Sequence, residues 1–408
     1  MERAGPDVLR LILRLVGARA LNSLGRAVIS ATVMWELWER THSTLVLSAI
    51  GLVQVIPVFV LFVPSGALVD RSDRRRLTTF AASGTGLVGV GLAISSFAGA
   101  PVGVYLALLL AQGCMTVIHS PASSSLIPLV IPREELERTN RIGASFGETA
   151  QIGGPALAGL ALVFFDYAVV YAFVALTGVA SAILYRSLPK PRAIAAGSPN
   201  ARRDWRVGLR FIFRSPLLLP ALTLDMFAVL FAGATALLPV VSTEILHVGT
   251  LGYGVLRAAQ SAGAVLMAIV GGRIAPWQRP GRVLLVVVSL FGAETVAFGC
   301  SRSFALSVAL LVAMGALDNI SVVIRLTLEQ MVVPDAIRGR VSAVHYVFIG
   351  MSNELGAAES GIAADLFGVV PAIVGGGAIA VIVVGLVAAR WRELAAMPPL
   401  AQLKAPDA

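Results

Sequence analysis

The sequence predicts an all-α integral membrane protein of twelve transmembrane helices in two pseudo-symmetric six-helix bundles, and three observations predict it. The chain of 408 residues is 57% hydrophobic and 13% charged, with a mean hydropathy of +0.84. That is too apolar for a soluble domain that must keep a wetted surface. Its apolar residues gather in runs of about 20, the length needed to cross about 30 Å of hydrocarbon. Finally, the chain repeats itself across its midpoint.

The runs place helices at residues 15–38, 44–68, 77–98, 102–125, 140–164 and 167–186 in the first half, and at 216–240, 250–273, 282–300, 303–329, 340–366 and 369–390 in the second. The tightest join is "FDY", Phe165 to Tyr167. Arg3, Arg10, Arg14, Arg19 and Arg26 precede or enter the first run without a small-residue cleavage site, so it reads as a retained helix.

The repeat is local and ordered. "FGETAQIGGPALAGLA" (Phe146 to Ala161) lies over "FIGMSNELGAAESGIA" (Phe348 to Ala363), which pairs Gly154 with Gly356 and Gly159 with Gly361. "SGALVDRSDRRRL" lies over "GGRIAPWQRPGRV", which pairs Gly66 with Gly272 and sets Pro276 opposite Asp70. Duplication of a six-helix unit accounts for both. The predicted organisation is a bundle over 1–186, a cytoplasmic linker over 187–215, a bundle over 216–392 and a tail over 393–408. Within the linker, Arg203 to Phe213 mixes arginines with Trp205, Val207, Leu209, Phe211 and Ile212, a pattern suited to a helix at the headgroup surface.

A net charge of +9 could suit nucleic acid, but the placement of the cations points to the membrane instead. Most of the 32 Lys and Arg fall in the amino terminus, the tail and alternate loops. Outward loops hold Arg40 and Arg302, while Arg19, Arg26, Arg257 and Arg325 lie inside helices. By the positive-inside rule both termini are cytoplasmic and the chain spans the cytoplasmic membrane. Cys114 and Cys300 lie singly in apolar runs and imply no disulfide framework. His42, His119, His247 and His345 are scattered, without metal-ligand spacing, and no cofactor is expected. No G-x-x-x-x-G-K-[ST] loop argues for direct ATP use.

Between the second and third runs, "GALVDRSDRRRL" sets Gly66, Leu68, Asp70, Arg71, Arg74 and Arg75 in the pattern G-x-L-x-D-R-x-G-R-R, with Asp73 at the second glycine. This resembles the helix 2 to 3 signature of the major facilitator superfamily. The resemblance implies that Asp70, Arg71 and Arg74, with Gly66 and Arg75, latch the two halves at the cytoplasmic side. "GGPALAGLA" (Gly153 to Ala161) resembles the helix 5 antiporter signature G-P-x-x-G-G at Gly154, Pro155 and Gly159, with Ala158 at the first paired glycine. "LIPLVIPREELERTNRI" and "VVPDAIRGRVSAV" resemble segments of the exporter branch that includes macrolide and enterobactin exporters. The basic residue of the helix 4 signature in other drug-antiporter branches is absent, with Leu109 in its place.

Ionisable groups inside helices are costly and so are functional candidates. A proton-coupled antiporter needs a buried carboxylate whose proton affinity changes between states. Asp225 and Asp318 lead that set, followed by Glu148 and Glu36. Arg26, with Asp225, Glu148 or Glu354 as possible partners, and Arg325 complete it. Arg325 and Glu329 have the spacing of a local i, i+4 ion pair, and Trp35, Phe146, Met226, Phe227 and Phe231 could wall an apolar cavity.

The expectation is therefore a secondary exporter of a small amphipathic molecule, drug-like or a siderophore, with protons as coupling ion and the lipid bilayer as surroundings. It would work by alternating access as a monomer, without nucleic acid. An importer or uniporter of a small nutrient is the alternative. A membrane enzyme would need a catalytic pairing such as H-x-x-x-H, and a sensor would need a larger soluble domain.

Overall fold

A computed structural model describes residues 6–190, 205–271 and 277–403; all secondary structure among them is helical. In chain order these are α1 (Pro6–Thr41), α2 (Thr44–Arg71), α3 (Arg74–Phe97), α4 (Val102–Val130), α5 (Leu136–Phe164), α6 (Tyr167–Arg186), α7 (Trp205–Arg214), α8 (Leu218–Ala232), α9 (Leu238–Val240), α10 (Gly249–Gly271), α11 (Pro280–Cys300), α12 (Phe304–Val332), α13 (Asp335–Phe367), α14 (Val369–Arg390) and α15 (Arg392–Ala395).

Several helices outrun their apolar cores. The 36 residues of α1 extend roughly 54 Å at 1.5 Å per residue. Polar residues at helix ends lower hydropathy without breaking the backbone ladder, so the apolar runs mark the membrane-buried part only.

Local chemistry sets the boundaries. Asp73 N-caps α3 at φ −64°, accepting from the backbone N–H of Arg75 at 2.9 Å and Arg76 at 3.3 Å. No positive φ is needed where the family pattern has glycine, and a carboxylate at a helix start is favoured by the dipole. Two extended residues, Phe165 and Asp166, join α5 to α6. Gly368, at φ 88°, separates α13 from α14, a conformation with little cost for glycine.

The predicted helix 216–240 is not continuous. It stops at Gly233 (φ −77°, ψ 67°), passes through a 3₁₀ turn at Ala234–Leu237 and resumes as α9, ending in a π turn at Val241–Ile245. Pro239 lacks the N–H that an unbroken helix would use. Thr295 of α11 donates to the freed carbonyl of Ala232 at 3.4 Å.

The chain divides into two compact units: Met1–His42, Leu52–Ala196 and Gly249–Ala258 form one, and Ser43–Gly51, Gly197–Val248 and Ala259–Ala408 form the other. Their internal packing repeats. In the first unit α3 packs on α6 and α1 on α5; in the second α11 packs on α14 and α8 on α13. The contacts use small residues, which let helix backbones approach where lipid removes the hydrophobic drive for association. Gly86 meets Gly178 between α3 and α6, and Gly292 meets Gly377 between α11 and α14. Gly154 abuts Ala27 of α1, and its repeat partner Gly356 abuts Val229 and Leu230 of α8. Gly159 lies against Gly254 within the first unit, while Gly361 lies against Thr44 and Ser48 within the second.

Candidate functional site

The polar interior of the second unit is organised by α12. Asp318, Ser321, Arg325 and Glu329 are spaced at i, i+3, i+7 and i+11, so they fall on one helix face. Arg325 (3% exposed) forms an ion pair with Asp225 of α8 (7% exposed), and its Nε donates to the Ser321 carbonyl at 3.3 Å. One turn further on, Glu329 accepts from Ser342 and pairs with Nδ1 of His345, both on α13. The local Arg325–Glu329 pair suggested by their spacing does not form: each side chain finds its partner on a neighbouring helix. The i, i+4 rule registers only same-helix neighbours, so it missed His345, which no sequence pattern linked to Glu329.

Asp225, Asp318 and Ser321 line a small recess of about 20 Å³ whose remaining walls are Ala228, Val229, Val287, Val288, Phe291 and Leu317. Space of that size holds about one water beside the two carboxylates, not a small ligand. Phe227 and Phe231 stack nearby on α8 with centroids 6.0 Å apart.

Glu36 of α1 is held differently. It is 1% exposed and accepts from Tyr105 of α4 at 2.7 Å, Ser96 of α3 at 2.8 Å and Tyr171 of α6 at 2.7 Å, with Arg40 at 3.5 Å. Arg40 in turn donates to the Tyr105 hydroxyl at 2.8 Å. Four helices of the first unit thus converge on one carboxylate. Charge-assisted bonds of this kind each contribute about 1.5–3 kcal/mol.

The remaining candidates are dispersed. Arg26 of α1 makes no ion pair with Asp225, whose partner is Arg325. Glu354 is half-buried on α13, and Gly51 of α2 packs against its carbonyl. Pro155 lies inside α5 between the packed Gly154 and Gly159. Arg74 is partly buried, and Arg75 reaches the Leu188 carbonyl beyond α6 at 2.5 Å. Gly66 and the side chains of Asp70, Arg71 and Glu148 lie outside the described residues. Trp35 is a core residue stacked on Tyr253 with centroids 5.0 Å apart, whereas Phe146 is exposed.

Comparison with known proteins agrees with this architecture. Macrolide efflux protein A of Streptococcus pyogenes is 25% identical over 280 residues, which is 67% of this chain and 68% of that protein. The enterobactin exporter EntS of Citrobacter koseri is 26% identical over 379 residues, 90% of this chain and 88% of that one. In fold, the chain is similar to a bacterial homolog of the human lysosomal transporter Spinster in an inward-facing, unoccupied conformation. There the TM-score is 0.76 at 14% identity, covering 99% of this chain and all of the other. The pattern that defines the Major Facilitator Superfamily matches residues 15–357. With its duplicated six-helix architecture and transporter relatives, the chain belongs to the Major Facilitator Superfamily.

Proposed function

We propose that this protein exports a small amphipathic molecule across the cytoplasmic membrane by alternating access, in exchange for protons. The observation that carries the reading is the row of buried polar groups on α12, in which Arg325 faces Asp225 and Glu329 faces His345. Protonation of Asp225 would remove one charge of a buried pair and leave Arg325 without its counter-ion. A second conformation in which Arg325 reaches another acceptor is then favoured. Re-ionisation restores the pair. The Asp318-lined recess beside it, with room for about one water, gives the proton a polar path.

Export rather than import is supported by the names of the relatives, one a macrolide efflux protein and one an enterobactin exporter, and by the G-P-x-x-x-G stretch at Gly154, Pro155 and Gly159. In this reading the bundles over 1–186 and 216–392 rock about a central cargo site, joined by the linker over 187–215. Asp70, Arg71 and Arg74 latch them on the cytoplasmic side, where both termini lie. One chain suffices as the working unit.

Transport in inside-out membrane vesicles tests it. With an acid interior imposed, a macrolide or a siderophore should accumulate, accumulation should collapse with the gradient, and Asp225→Asn should abolish the gradient dependence. Accumulation indifferent to the gradient removes the proton role, and gradient-driven depletion of cargo from the interior reverses the direction.

A further inference from the structure

The first unit holds a cationic site that the proton-exchange scheme does not use. Arg19, Asn22 and Arg26 recur at i, i+3 and i+7 and so share one face of α1. α6 packs on this stretch of α1, where Ser181 donates to the Ala18 carbonyl at 2.7 Å, and one turn on from Ser181 stands Tyr185, 0% exposed and joined to His119 of α4, 7% exposed, by a 3.0 Å hydrogen bond between the hydroxyl and Nε2. Both guanidinium groups lie close enough to this His–Tyr pair to act on it electrostatically.

Neither arginine has a carboxylate partner among the described residues. Asp225 is taken by Arg325, and Glu36 is saturated by hydroxyl donors and Arg40. Arg26 Nε is enclosed with no acceptor. Arg26 also lies 15 residues before the end of α1 at Thr41, roughly 22 Å along the axis at 1.5 Å per residue. A snorkelling side chain does not span that distance. An uncompensated cation at such depth costs several kcal/mol, and among the described residues, which leave out the Glu148 side chain, these two arginines have no counter-ion, so the site is suited to receive one.

We propose that Arg19, Asn22, Arg26 and Tyr185 bind an oxyanion of the cargo, a carboxylate or an equivalent acidic oxygen, which makes the transported class anionic amphipaths. Arg26 provides the fork that matches a carboxylate, Arg19 adds a second positive charge two turns away, and His119 fixes the Tyr185 hydroxyl. The proposal rests on the export reading and narrows its substrate class.

The test is binding of a matched pair, 1-pyrenebutyrate and its uncharged amide, to the full chain in phosphatidylcholine nanodiscs, read by pyrene fluorescence. The acid should bind at least tenfold more tightly than the amide. Arg26→Gln should erase that difference and Arg26→Lys should retain part of it, with helix content by circular dichroism unchanged. Equal affinities, a preference that survives Arg26→Gln, or no binding of either probe to the folded protein overturns the proposal. Phosphatidylglycerol that displaces the acid from the unaltered protein but not from Arg26→Gln assigns the site to a lipid headgroup and overturns it as a cargo site. Vesicle transport separates this from the export reading. Gradient-driven export of acid and amide at equal rates sinks the anion site alone; selective binding of the acid without movement sinks the export reading alone.

Discussion

Asp225 and Arg325 are to be tested as an energetic unit by a double-mutant cycle with Asp225→Asn and Arg325→Gln. Both side chains are more than nine-tenths buried, so solvent screening offers little discount. Removing one member of a buried pair leaves the other charge uncompensated, a loss of about 3–5 kcal/mol. At about 1.4 kcal/mol per power of ten, each single substitution should shift the unfolding equilibrium by between two and four powers of ten. The double substitution leaves two neutral amides of similar volume at hydrogen-bonding distance and no orphan charge. It should lie far closer to the unaltered protein than the sum of the two single costs, which is the signature of strong coupling in the cycle. The assay is equilibrium unfolding in mixed micelles of increasing dodecyl sulfate content, followed by tryptophan fluorescence. Two single substitutions that each cost under about 1 kcal/mol and add without interaction would refute the coupling, and with it the argument that Arg325 needs a new acceptor when Asp225 is protonated.

Other expectations follow from contacts of the same kind. Glu36→Gln removes the charge on which Tyr105, Tyr171 and Ser96 converge and should cost about 2–4 kcal/mol in the same assay, against about 1.5–3 kcal/mol for Tyr171→Phe. Asp73→Ala should cost about 1 kcal/mol by freeing the N–H groups of Arg75 and Arg76, whereas Asp73→Gly should cost only a few tenths; parallel unfolding curves for the two decide it. Gly159→Val places a side chain against the backbone of Gly254, so the variant should insert at normal levels in membranes yet lose vesicle transport. The same change at Gly153, where a Cβ meets nothing within 4 Å, should retain it.

The sequence alone determined the membrane class and the two-bundle helical plan, because each is written in features that act locally. Hydrophobic length answers to bilayer thickness, and repeated motifs need only be aligned. The glycines singled out by the repeat illustrate how far this reaches: Gly154 with Gly356, and Gly159 with Gly361, occupy close helix contacts in both units. The break at Gly233 was written in the chain too, in Gly233 and Pro239, but an apolar run conceals it because hydropathy does not register backbone geometry.

Only the tertiary structure decided which charge meets which. Sequence spacing offered Arg325 to Glu329 and left Arg26 a choice of distant carboxylates; the packed helices gave Arg325 to Asp225 and Glu329 to His345. They closed three hydroxyls and Arg40 around Glu36. The physical reason is range. A buried ion pair is settled over a few ångströms between side chains hundreds of positions apart in sequence or only a helix turn away. Which of these a charge finds depends on helix rotation and packing, properties that no single helix carries by itself.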